Sequence, residues 1–477
     1  MATDSKSKAT STARMSVNTS GLQERGTKRE ETLPAPLGSP VNAPSRKKSS
    51  WGSKLVLLGI PLGALAVLGL TSSYWYPGSQ ISGPRMNSYR RRDNQGIPDT
   101  AQVISPKSFA VLDKVQPGTE FNGFSLFVPP GYTEDSLKAK PFHILDDSFY
   151  DIIGDDPSLT LLADSGTDPL FHEAVVWYAP MNKDTDEVFF AQNAGAKAAG
   201  TGMNKSAIVQ KISLSEAANV QQGSRNSTDI TTINSTVQVV NPNGGTAYRG
   251  KIIFAGEGQG SDIAPALYEM DPNEPYDTTV ILNNFFGRQF NSLNDIAVNP
   301  RNKELYFTDV TYGYLQDFRP APIIANQAYR FNVDTGAIQV VADGIQKPNG
   351  IAFSPGGQYA YISDTGISGG FWGNNYTDSA AIYRYNVQDD GSFENRKVFA
   401  FTHVGNADGE SSALGNVYAG VGDGIHVFNP SGLLIGKIYL GETSANFAFA
   451  GDGKLVICAE THLFYATLAA KTWDPEA

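Results

Sequence analysis

Residues 290 to 366 write one pattern twice, and that repeat constrains the fold of this 477-residue chain more than any other feature. The stretches FNSLNDIAVNPRNKELYFTDV and KPNGIAFSPGGQYAYISDTG each run from a polar turn carrying Asn into a short apolar strand. Each then passes through a Pro-containing turn into an aromatic strand ending Thr-Asp or Ser-Asp. Asn294 and Asn349 are 55 residues apart, as are Tyr306 and Tyr361, and Asp309 and Asp364, so the copies agree in phase as well as content. A period of that size built from strands is the mark of propeller blades. The period also marks Asp309 and Asp364 as structural hydrogen-bonding residues rather than chemical ones.

Similar strands recur at AVVWYAP (174–180), EVFFAQ (187–192), GKIIFAGEG (250–258), NVYAGVG (416–422) and KLVICAE (454–460). Taking the second strand of each unit gives six centres, Phe189, Ile253, Tyr306, Tyr361, Tyr418 and Val456, in steps of 64, 53, 55, 57 and 38. The short last step predicts that the final blade is completed from the N-terminal side, by FAVLDKV (109–115) or FSLFVPP (124–130), because closing the ring removes exposed edges. The expected fold is all-β, a six-bladed β-propeller over residues 105–470, with no major helix. Loops such as 193–250 and 311–326 are expected to cap its pocket.

Upstream, residues 1–54 are rich in Ser, Thr, Pro, Lys and Arg and read as a disordered tail. From Leu55 to Leu70 every residue is apolar, Gly or Pro, and Tyr74, Trp75 and Tyr76 follow as an aromatic belt. Residues 55–76 therefore read as a transmembrane signal anchor of about 20 residues. Arg46, Lys47, Lys48 and Lys54 before it keep the tail cytoplasmic and send the propeller to the lumen or exterior. Residues 77–104 form a stalk in which Arg90, Arg91 and Arg92 offer a cleavage site for release. Sequons at Asn204, Asn226, Asn234 and Asn375 all follow the span. A net charge of −11 without a basic stripe argues against nucleic acid as a partner, and Cys458, as the only cysteine, excludes an internal disulfide and a multi-cysteine zinc site. In its apolar strand Cys458 reads as buried filler.

The chemistry follows from polar residues that enter the innermost strands at one end of the ring. Glu173 precedes AVVWYAP, Asn294 precedes DIAVNP, Asn349 precedes GIAFSP, and Asp408 lies ten residues before Tyr418. Their gaps of 121, 55 and 59 are two blades, one and one, so four oxygen-bearing side chains converge on an axial point. Carboxylates and amide carbonyls without a thiolate suit a hard cation, calcium above other divalent ions.

HEAVVW, SLNDIAVNP, KPNGIAFSP and the NADG around Asp408 resemble the metal-binding segments of the regucalcin/gluconolactonase (SMP-30/LRE-like) family of six-bladed propellers. GRQFNSLNDIAVNPRNKELYFTDVTYGYLQDFRP, GNVYAGVGDGIHVFNPSG and ICAETHLFYATLA look closer still to the fungal lactonohydrolases, and the likeness spans about residues 105 to 470. The resemblance implies that Glu173, Asn349 and Asp408 are metal ligands and Asn294 a ligand or substrate contact. His462 resembles a histidine lining the metal pocket of related propellers. The strand after Asp408 departs from the family pattern by one missing residue, which reverses its alternation.

The implied activity is calcium-dependent hydrolysis of an aldonate or pantoyl lactone, or a related ester, to a hydroxy acid. The cation would polarise the carbonyl while Asp408, His462 or His172 takes a proton from the attacking water. A non-catalytic calcium-stabilised binding propeller and chemistry of the strictosidine-synthase kind are the alternatives. Gly366-Ile367-Ser368-Gly369-Gly370 fits G-x-S-x-G, but an aromatic, Gly/Asn-rich loop follows it where a nucleophile elbow needs a helix.

Overall fold

The computed structural model describes residues 96–179, 186–407, 410–413 and 415–471. The tail, the span at 55–76 and the stalk up to residue 95 lie outside them, as does Asp408. Among the described residues no helix is long and apolar enough to cross a membrane.

The described strands form six sheets, the six blades that the repeat predicts. All six centres read from the sequence fall in second strands: Glu187–Ala191, Lys251–Gly256, Leu305–Asp309, Tyr359–Asp364, Asn416–Val421 and Lys454–Ala459. Blades pack by burying aliphatic and aromatic residues between neighbouring sheets. Tyr306 of blade three packs against Phe353 and Phe393 of blade four at centroid separations of 4.9 and 5.4 Å, and its twin Tyr361, 5.0 Å from Phe399 of its own blade, shares a buried core with Val417 and Ala419 of blade five. Each such aromatic pair adds about 0.5–1.5 kcal/mol beyond its buried area. The repeated tyrosines are therefore inter-blade wedges.

The ring closes as predicted in kind but with a different strand. Ser158–Asp164 (SLTLLAD) supplies the outer strand of blade six, antiparallel to His462–Thr467. Neither 109–115 nor 124–130 forms a strand. Val111 and Val115 are 87% and 75% exposed, and a prolyl pair, Pro129-Pro130, ends the second stretch, so neither segment presents a continuous row of donors to an edge. Ala101–Val103, inside the segment read as stalk, pairs in parallel with Phe142–Ile144, and together they extend blade five to six strands.

Chain direction sets one end of the ring apart. Inner strands begin there, antiparallel second strands end there, and third strands begin there, so the loops joining second to third strands crowd that end. They are long in blades one to four (192–208, 257–265, 310–326 and 365–380) and tight in blades five and six (422–423 and 460–461). The expected cap at 193–250 is thus narrower: beyond residue 208 it holds the strands Val209–Ser213 and Pro242–Tyr248 and the helix Leu214–Gln221.

Candidate functional site

Four inner strands enter the ring through the same irregularity. In Glu173–Tyr178, Pro242–Tyr248, Leu293–Val298 and Pro348–Phe353 the register shifts over the first residues, so one extra residue faces the partner strand. Such bulges re-aim a side chain locally. Ala174, with φ +53°, lies within the first of them. The bulge places Asn243, Asn294 and Asn349 in equivalent positions, with Glu173 one residue earlier in its own strand.

All four side chains are buried. Asn446, heading the inner strand of blade six, donates to Glu173 Oε2 at 2.7 Å and ties the last blade to the first. Between blades three and four, Thr308 Oγ1 donates to the Asn349 carbonyl at 2.7 Å and the Ile351 amide donates to Asp295 Oδ2 at 2.8 Å. The inner strand of blade two is glycine where its neighbours press closest. A Cβ at Gly244 would collide with the Asn294 carbonyl and Asp295, and one at Gly245 would lie 2.8 Å from Val176 Cγ2. These contacts fix the ring of side chains to the axis.

The Oδ1 atoms of Asn243 and Asn294 are buried and accept no hydrogen bond. An orphaned buried carbonyl costs about 1–3 kcal/mol. Two such oxygens and the buried Glu173 carboxylate, all at the starts of inner strands, are donor types that a hard cation would satisfy. Of the ligands expected from the sequence, Glu173, Asn294 and Asn349 occupy these strand starts, Asp408 lies outside the described residues, and Asn243 takes the equivalent position in blade two.

Around this ring sits a set of titratable groups. His172 Nδ1 lies 2.9 Å from Glu460 Oε1 and its Nε2 lies 3.9 Å from Glu173 Oε1. Asn193 Nδ2 donates to Glu460 Oε2 at 3.1 Å. Burial alone would raise Glu460, but His172 and Asn193 hold it below its ordinary value. An ionised Glu460 accepts the Nδ1 proton of His172, which orients the ring between Glu460 and Glu173. Glu257, just past the second strand of blade two, is pushed up to about 7 by burial, against the pull of Ser292, His172, Lys205 and Arg319. Ser292 Oγ donates to its Oε1 at 2.6 Å.

Asp309 and Asp364 take the structural role that their period predicts. Asp309 accepts from the Asn291 and Ser292 amides, and Asp364 from those of Gln346, Lys347 and Gly366. Cys458 is buried, as read. His462 heads the third strand of blade six, with Nδ1 2.9 Å from Glu442 Oε2 and Nε2 3.6 Å from Asp164 Oδ1.

A second polar cluster, which no motif or repeat announces, lies in blade five. His403, Asp423 and His426 place one ligand atom each within 4.8 Å of one another. Lys437 Nζ, however, lies 2.7 Å from Asp423 Oδ2 and 2.8 Å from His403 Nε2. An ammonium already takes the position that a cation would need.

The SMP-30/gluconolactonase/LRE-like family model matches residues 218–461. Lactonohydrolase oryL of Aspergillus oryzae is 29% identical over 206 residues, 40% of this chain and 47% of that protein. A gluconolactonase of Zymomonas mobilis is 27% identical over 41% of this chain and 55% of its own length. The chain thus spans about half the length of these curated relatives. A solved gluconolactonase of Xanthomonas campestris shares the fold with a TM-score of 0.53 and 22% identity, covering 69% of this chain and 94% of that one. A six-bladed ring, bulged inner strands carrying Glu and Asn to its axis, and a family match across half the chain lead to one conclusion: the protein belongs to the SMP-30/gluconolactonase/LRE-like family.

Proposed function

We propose that the protein hydrolyses a lactone to its hydroxy acid at the axial site, with a divalent cation, calcium by its all-oxygen donor set, held by Glu173, Asn294, Asn349 and Asp408, and with Asn243 beside them. The buried, orphaned Asn294 Oδ1 at the start of its inner strand carries this reading. A bound cation supplies electrophilic polarisation of a carbonyl oxygen. The chain supplies the rest. The inner-strand bulges hold the amide oxygens in place, and the four long loops keep bulk water from the mouth. The proton of the attacking water goes either to Asp408, as the family resemblance implies, or to His172, whose Nδ1 lies 2.9 Å from Glu460 Oε1.

The test is hydrolysis of aldonate and pantoyl lactones by the purified protein, with calcium and with excess chelator. Turnover lost with chelator and restored by calcium supports the reading. Absence of turnover, with calcium still raising thermal stability, replaces it with a structural metal. Comparing Asp408→Asn with His172→Gln assigns the base: the true base variant loses about 10²–10⁴-fold in kcat. On residues 55–76 the site would face the lumen or exterior, which protease protection of the full chain in membranes would check.

A further inference from the structure

Lys205 sits in the long loop of blade one and is only 6% exposed. Its position is built, not incidental. Asn241, 1% exposed, donates through Nδ2 to the Lys205 carbonyl at 2.9 Å and to the Gly258 carbonyl at 2.8 Å, and accepts from the Ala207 amide at 2.8 Å. The Glu257 amide in turn donates to the Asn241 carbonyl at 2.9 Å. One buried side chain therefore fixes Lys205 and Glu257 in a common frame. Gln259 Nε2 adds a second donor to the Lys205 carbonyl at 2.8 Å.

The ammonium lies 5.1 Å from the ring centroid of Phe318, in the loop of blade three, and 5.6 Å from that of Phe371, in the loop of blade four. Blades one and four face each other across a six-membered ring. A side chain rooted in one and touching the other's loop lies over the mouth of the central tunnel, above the ring of Glu173, Asn243, Asn294 and Asn349. Glu257 and Asp317 attract the charge at longer range, and among the described residues no carboxylate is within ion-pair distance of it. The ammonium has ring faces beside it and no carboxylate at ion-pair distance, so its charge is left without a close counter-charge. A ligand anion would supply one.

We propose that Lys205 anchors an anionic substituent of the substrate, a carboxylate or phosphate carried outside the lactone ring, with Phe318 and Phe371 flanking it and Glu257 meeting a neighbouring hydroxyl. This inference rests on the lactonase reading and narrows its substrate class. The lactone carbonyl would face the axial oxygens while the anion reaches up to the loops.

The test compares a neutral aldonate lactone with its C6-carboxylate and C6-phosphate counterparts, using the full-length protein with calcium. Wild type should favour one anionic lactone by at least about tenfold in kcat/KM. Lys205→Met should lower kcat/KM for that lactone by about 10–100-fold while the neutral one stays within about threefold, and Lys205→Arg should keep the preference. Which anionic lactone responds tells carboxylate from phosphate. If Lys205→Met melts well below wild type, Lys205→Gln takes its place. Equal losses on neutral and anionic lactones, or no preference in wild type, overturn the proposal and leave the lactonase reading intact. If nothing is hydrolysed, calorimetric binding of the intact anionic lactones decides. Binding weakened at least about tenfold by Lys205→Met keeps the subsite without the hydrolase. Binding that is absent or unchanged removes the subsite.

Discussion

The axial ring and the Asp423–His426 pair of blade five are both buried, both polar and both rich in possible ligands, yet they are opposite kinds of object. The axial ring is left open: Asn243 Oδ1 and Asn294 Oδ1 accept nothing. The blade-five cluster is closed on itself. Asp423, 2% exposed, binds His426 Nε2 at 2.7 Å and Lys437 Nζ at 2.7 Å, and these partners hold it well below the usual carboxylate range although burial would raise it. Counting ligand-type residues would choose the cluster. Asking whether a cation is already present chooses the ring. In the first case the protein provides its own counter-charge; in the second it leaves the charge to be supplied.

Two substitutions should affect activity and stability in opposite ways. Glu173→Gln keeps the acceptor for Asn446 but removes a charge from the open ring, so kcat/KM for the preferred lactone should fall about 10³-fold or more, roughly 4 kcal/mol, while the urea midpoint barely moves. Asp423→Asn does the reverse. It leaves the Lys437 ammonium without its carboxylate and should cost about 3–5 kcal/mol of unfolding free energy, with kcat per folded molecule within about tenfold of wild type. A large loss of activity per folded molecule in Asp423→Asn, at unchanged stability, would make blade five part of the chemistry.

What the sequence revealed, and what it hid, divides along similar lines. Tyr306, Tyr361, Asn294 and Asn349 were legible because a repeat reports its own geometry: equal phase along the chain becomes an equal position in each blade. Glu173 was legible from the blade count. Asn243 was not, although it lies one blade period before Asn294, because the strand behind it begins Gly244-Gly245 and does not read as apolar. Those glycines answer the close approach of blades one and three, which no local pattern announces. The closing strand Ser158–Asp164 was missed because it carries no aromatic residue, whereas the rejected 109–115 and 124–130 do. Lys205 and the Asp423 cluster were beyond reach, since each owes its character to loops or strands far apart in sequence.

The two regions should also pull stability in opposite directions over one pH window. Burial holds His143, which stacks on Tyr439 beside the Asp423 cluster, down at about 4 from an ordinary 6.5. The folded state resists its protonation, so its contribution is complete above pH 6.5 and is lost as pH falls towards 4. At the mouth, burial raises Glu257 from 4.5 to about 7, and Asp309 from 3.8 to about 7. Here the folded state favours the protonated form, so the contribution is complete below the unfolded values and is lost as pH rises through 7. Each of His143 and Glu257 swings stability by about 3 kcal/mol at most across its window. Unfolding free energies at pH 4, 5.5 and 7.5 should therefore show Glu257→Gln gaining on wild type as pH rises and His143→Gln losing on it. If both variants drift the same way, the mouth and the cluster do not carry opposite electrostatics, and the open and closed descriptions of the two regions fail together.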